Sequence, residues 1–254
     1  MTYQLQTLIQ SGLNVLQKPG ERADIENLVS VLAPAADARW FAERSREDNR
    51  REHEFVVFAA AMRIAEAENL PLTSKRVVAG FVFTHDSYPI ARKTERMIRE
   101  ATPDLAKQLD QQKTQDRKDH MAGGAKNADA LFRELGILTD DERDRVVRII
   151  ERHDCWKLRD PHPLWADREA VVCLEADALY PLHPYGVLAD LEREGRDVYN
   201  PSEWRKQVRN NLQTLEEYRA NWQGRNEPFR DGRSIFRTRE GYRLYTEWRG
   251  LLGV

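Results

Sequence analysis

The sequence contains only two cysteines, Cys155 and Cys173, which form no CxxC pair. Two thiols are too few for a disulfide framework, and they predict reduced side chains in a cytoplasmic protein. Long apolar runs are also missing. None approaches the ~20 residues that a membrane span needs, so no membrane association is expected. The formal net charge is −2, which gives no overall attraction to nucleic acid or to an anionic membrane.

Two motifs of common enzyme classes are absent as well. The sequence has no Gly-rich phosphate loop and no GxSxG nucleophile elbow. A Ser-His-Asp hydrolase of the α/β type needs such an elbow to present its serine, so that class is not expected.

Helical periodicity of apolar residues runs along nearly the whole chain, and no alternation is long enough to predict a strand. The composition, 41% hydrophobic and 32% charged, is that of a globular protein. The spacing predicts helices at 2–17, 22–32, 74–85, 90–100, 103–115 and 168–180, with another in MAGGAKNADALFRELGIL that ends near Gly136. An all-α protein is therefore expected.

The histidines are few and follow one another at similar steps. Four of the six are separated by 32 (53 to 85), 35 (85 to 120) and 33 (120 to 153) residues. One such residue per helical hairpin is typical of a site assembled between packed helices. The other two, His162 and His183, are flanked by prolines and are interpreted as exposed loop residues, with loops that line the pocket as the alternative.

Several candidate polar residues lie on apolar helix faces. His53 is followed by Val56 and Val57 at i+3 and i+4, and comparable neighbours flank His85, His153 and Asp177. A single histidine or aspartate on an apolar helix face is usually a core residue whose hydrogen bonds are satisfied within the protein. Four in series favour a metal, because a buried ionised carboxylate needs a compensating charge.

The order His53, His85-Asp86, His120, His153, Asp177 resembles the HD superfamily of metal-dependent phosphohydrolases. The segments REHEFVVFAAAMRIA, VVAGFVFTHD, HMAGGAKNADALFRELGI, VVRIIERHD and LEADAL carry the resemblance. It implies a single HD-type domain with a helical core at about 45–190, N-terminal helices at 1–44 and a C-terminal extension at 195–254. The HDIGK and HHE features of the cyclic-dinucleotide enzymes in this superfamily are missing.

The resemblance also implies a set of metal ligands. His53, His85, Asp86 and Asp177 would hold one ion, while His120 and His153 would hold a second, with Asp86 bridging. Relatives without the two middle histidines use one metal, so their presence here predicts a two-metal site. The imidazole-rich ligand set favours Mn, Fe, Co or Ni over Mg, which prefers oxygen ligands.

The function implied by the resemblance is hydrolysis of a nucleotide or another small phosphate ester through a metal-activated water. Asp86 would bridge the metals, and Lys93 and Lys126 are candidates for binding the phosphate. Two alternatives stay open. Some relatives use a di-iron centre to oxidise a small polyol or a phosphonate, and a non-catalytic metal-binding module is the other.

Two further expectations concern the surroundings of the site. Asp154, in the second His-Asp pair, is expected to point outward beside His153 and to contribute little, with a role as a hydrogen-bond acceptor behind that metal ligand as the alternative. The extension at 195–254 carries 12 Lys and Arg against 8 Asp and Glu. It is interpreted as a solvated, aromatic-anchored segment, with a cap that offers arginines to an anionic substrate as the alternative.

Overall fold

The computed structural model describes residues 3–41, 51–88, 103–158, 166–222 and 236–253. Those ranges contain ten α-helices and no strand, which confirms the predicted all-α class. The helices are α1 (Tyr3–Asn14), α2 (Pro19–Ala36), α3 (Arg51–Ala67), α4 (Leu72–Thr84), α5 (Pro103–Leu135), α6 (Asp140–Ile150), α7 (Arg168–Leu179), α8 (Pro184–Arg193), α9 (Pro201–Trp222) and α10 (Arg239–Leu251). Within these ranges, no helix is both long and apolar enough to cross a membrane.

The centre of the fold is the helix α4. Nearly all of its residues are buried, and it packs against α2, α3, α6 and α7. Its one buried lysine, Lys75, is neutralised by Glu21 and Glu66 at 2.6 and 2.5 Å. Because other helices surround α4, the residues at its carboxyl end lie in the middle of the molecule.

Helix α5 is longer than the sequence pattern predicts. The helices expected at 103–115 and from Met121 form one helix of 33 residues that ends before Gly136 at φ +61°. The polar stretch between them continues the helix through side-chain pairs at i and i+4, such as Gln112 to Asp116 at 2.7 Å and Gln115 to Asp119 at 2.8 Å. The helix predicted at 90–100 lies outside the described residues.

The last helix, α10, packs on the core rather than projecting into solvent. It contacts α3 and α7, and Phe236, Leu244 and Trp248 belong to the same buried cluster as those helices. The carboxylate of Glu175 in α7 accepts hydrogen bonds from the backbone of Arg237 and from the backbone and side chain of Thr238. Glu175 therefore fixes the start of α10.

Candidate metal centre

Five segments of the chain bring the six predicted ligands together. His53 lies in the first turn of α3, and His85 and Asp86 follow the last residue of α4. His120 lies in the middle of α5. His153 lies in a turn just after α6, and Asp177 lies in α7. These residues are far apart in sequence, so the packing of the helices makes the site.

The first group of ligand atoms surrounds Nε2 of His53. That nitrogen lies 3.2 Å from Nε2 of His85, 3.6 Å from Oδ2 of Asp86 and 3.3 Å from Oδ1 of Asp177. Asp177 Oδ1 also lies 3.6 Å from His85 Nε2. Two imidazole nitrogens and two carboxylates thus lie close together, and the ligand atoms of His53, His85 and Asp86 are near enough to one another to hold a metal ion.

A second group shares Asp86 with the first. Its ligand atoms come from Asp86, His120 and His153 and lie within 4.8 Å of one another. Oδ1 of Asp86 lies 3.3 Å from Nε2 of His120 and 3.8 Å from Nε2 of His85, while Oδ2 lies 3.6 Å from Nε2 of His53. Asp86 therefore belongs to both groups, and the second group could also hold a metal ion.

Backbone carbonyls fix the orientation of three of the imidazoles. The Nδ1–H of His85 donates to the carbonyls of Phe81 and Val82, that of His153 donates to Ile150 at 2.7 Å, and that of His120 donates to Tyr88. A proton on Nδ1 leaves the Nε2 lone pair of a neutral ring free to bind a cation. All three rings are thus held in the orientation that metal ligation needs.

The charge balance of the site also fits a cation. Nε2 of His120 is buried and, among the described residues, has no hydrogen-bond partner, which is costly unless a ligand satisfies it. Burial disfavours the charged form of His85, but Asp86 and Asp177 outweigh it and raise the pKa of His85 to about 9. Burial, with His120 and His85 close by, lowers the pKa of His153 to about 4.

The end of α4 explains why two adjacent residues can face one site. The helix stops at Thr84, His85 is its C-cap, and Ser87 N donates to Thr84 O at 3.1 Å in the turn that follows. This turn redirects the chain, so Asp86 does not continue around the helix away from His85. Helix α5 presses against the turn, since a Cβ added at Gly124 would lie 2.8 Å from the carbonyl oxygen of His85.

Of the two predicted phosphate-binding lysines, only Lys126 lies within the described residues. Lys93 lies outside the described residues. Lys126 is exposed on α5, and six residues at 3.6 per turn place it about 120° around the helix from His120. A role for either lysine stays a prediction.

The expectation that Asp154 points outward was wrong. Asp154 is 1% exposed, and Arg117 Nη1 donates to its Oδ2 at 2.6 Å. The expectation assumed that the helix of His153 continued, but α6 ends at Ile150 and a turn carries both residues. No local pattern identifies Arg117 as the partner, because the two residues are 37 positions apart.

Of the remaining two histidines, only His183 lies within the described residues. His183 is not an exposed loop residue: it is partly buried as the N-cap of α8, where its Nδ1 accepts from Tyr185 N at 3.2 Å. Its ring packs edge-on against Trp248. His162 lies outside the described residues. Sequence reasoning also missed Tyr180, whose ring packs against His53 with centroids 4.4 Å apart.

Comparison of the chain with protein-family models, with curated proteins and with solved structures gave no significant match. The functional interpretation therefore depends on the geometry of this site and on the residue pattern that defines it.

Proposed function

We propose that this protein is a metal-dependent phosphohydrolase or phosphodiesterase of the HD type, acting on a nucleotide or another small phosphate ester. The observation that carries the proposal is the position of Asp86. Asp86 is the one residue shared by the two groups of ligand atoms, with Oδ1 3.3 Å from His120 and Oδ2 3.6 Å from His53, as expected of a carboxylate that bridges two cations in a hydrolytic site.

The proposed ligands divide between the two groups. His53, His85, Asp86 and Asp177 would hold one ion, and Asp86, His120 and His153 would hold the other. Two bound divalent cations would supply an activated water and positive charge for the phosphoryl oxygens. The four imidazoles favour Mn, Fe, Co or Ni over Mg.

The charge of the ligand set supports an anionic substrate. With the histidines neutral, Asp86 and Asp177 contribute two negative charges against the four positive charges of two divalent ions. The centre would then carry a net charge of about +2, which attracts a phosphate group. The buried position of His85, His120 and His153 keeps water away from one side of the centre, which strengthens this attraction.

The proposal is tested by metal analysis combined with a phosphate-release screen. Purified protein would be loaded with Mn²⁺ and assayed with a panel of nucleotides and simple phosphate esters. The proposal predicts two metal equivalents per chain and metal-dependent release from at least one substrate. Bound iron with oxygen consumption on a polyol or phosphonate, and no phosphate release, would replace the hydrolase with an oxygenase.

Variants of the ligands make the test specific. His85→Ala and Asp86→Ala should both lose activity and metal, whereas His120→Ala should lose about one equivalent and keep its fold. The matched control is His183→Gln, which alters a histidine outside both groups and should keep both equivalents. Unchanged metal content in His85→Ala and Asp86→Ala would overturn the site assignment.

A further inference from the structure

The ion pair between Arg117 and Asp154 is formed by residues close in sequence to the two histidines of the second group. Arg117 is three residues before His120 in α5, so the two side chains share a helix face. Asp154 immediately follows His153. The pair therefore joins the two elements that carry the histidines of the second group.

Both members of the pair are taken out of water. Arg117 is 9% exposed and Asp154 is 1% exposed, with Nη1 and Oδ2 2.6 Å apart. Removing one partner of such a pair leaves an uncompensated buried charge, so the pair holds its geometry firmly. A surface ion pair, by contrast, would contribute little to fixing the two elements.

The backbone of His153 is less constrained than that of the two ligand histidines inside helices, although its ring is oriented by the hydrogen bond to Ile150. His53 and His120 lie within helices, whereas His153 lies in the turn that follows α6. Its backbone is held by a hydrogen bond to Ile150 O at 3.4 Å, close to the upper limit for such a bond. The next residue, Asp154, is the one tied to α5.

We propose that Arg117 and Asp154 are positioning residues that set the separation of His120 and His153 and thereby tune metal binding at the second group. The inference rests on the proposed metal centre and adds to it two residues that touch neither metal nor substrate. Partners behind metal ligands of this kind typically change metal affinity 10- to 100-fold when they are lost.

The test is a Mn²⁺ titration of the full chain, in which the electron paramagnetic resonance signal of free Mn²⁺ reports how much of the ion is bound. Arg117→Lys keeps both charges but changes the guanidinium geometry, while Asp154→Asn removes the charge. Both should bind the first ion as the wild type does and the second about 10-fold or more weakly. His120→Ala identifies which ion is which, because it should lack the second one.

A matched control separates positioning from general stability. Arg145 in α6 pairs with Glu169 in α7, a buried carboxylate outside both ligand groups. Glu169→Gln removes the charge from this ion pair and should leave both Mn²⁺ affinities unchanged. If Asp154→Asn does not fold, as judged by circular dichroism, Arg117→Lys decides the outcome.

Several results would overturn the inference. One is an unchanged affinity of Arg117→Lys for the second Mn²⁺ ion. Another is an equal loss of affinity for both ions, and a third is a loss of affinity for the second ion in Glu169→Gln that matches the loss in Arg117→Lys. Two Mn²⁺ ions without phosphate release would refute the proposed hydrolase but leave the titration decisive for the positioning role. A wild type that binds fewer than two ions would refute the second metal and the positioning role together.

Discussion

Substitution of Gly124 by alanine tests how tightly α5 packs against the His-Asp turn. The added Cβ would lie 2.8 Å from the carbonyl oxygen of His85 and 3.3 Å from Cγ2 of Ile150. The first contact is with backbone, which cannot rotate away. Overpacking of this kind costs about 1–3 kcal/mol, while the change from glycine to alanine in a helix contributes roughly 1 kcal/mol of stability. The net expectation is a loss of about 0–2 kcal/mol.

Gly250→Ala provides the matched control for Gly124→Ala. Gly250 lies in α10, and a Cβ there would meet nothing within 4 Å. That variant should gain up to about 1 kcal/mol from helix propensity alone. Urea unfolding of both variants would measure the difference, which should be about 1–3 kcal/mol because the propensity gain largely cancels. Equal stability of the two variants would refute the close packing of α5 on the turn.

Three further predictions concern stability away from the ligand groups. Glu175→Ala should lower the free energy of unfolding by about 3 kcal/mol in a urea titration, because it leaves buried donors at Thr238 unpaired. Burial lowers the pKa of His183 from 6.5 to about 4. As the pH falls, His183 is therefore protonated in the unfolded chain before it is protonated in the folded protein. His183 should therefore cost about 3 kcal/mol of stability as the pH falls from about 6.5 to 4, and His183→Gln should remove that part of the acid sensitivity. Thr139→Ala should lower the free energy of unfolding by about 1 kcal/mol in the same assay, because the capping box of α6 is lost. An effect below 0.3 kcal/mol for Thr139→Ala would contradict the capping box.

Local patterns were enough to predict most of the helices around the centre. The spacing of Val78 and Phe81 before His85 placed that histidine on the buried face at the end of α4, and the structure buries it there. Gly136 was expected to end a helix, and it does so at positive φ. These features depend on residues within one or two turns of each other, which a sequence displays directly.

Features that depend on distant residues could not be predicted in the same way. The burial of Asp154 requires both the end of α6 at Ile150 and a partner, Arg117, that comes from another helix. The docking of α10 likewise depends on a carboxylate, Glu175, that meets the backbone at Thr238, 63 positions later in the chain. The helical periodicity of a sequence does not identify such a pair, because the pair forms only through tertiary packing.

The two-metal centre can be observed directly by anomalous X-ray diffraction from crystals of the protein soaked in Mn²⁺. We expect two peaks, one against His53, His85 and Asp177 and one against His120 and His153, with Asp86 contacting both. Crystals of His120→Ala should retain only the first peak. A single peak in the wild type, or peaks away from Asp86, would contradict the two-metal centre.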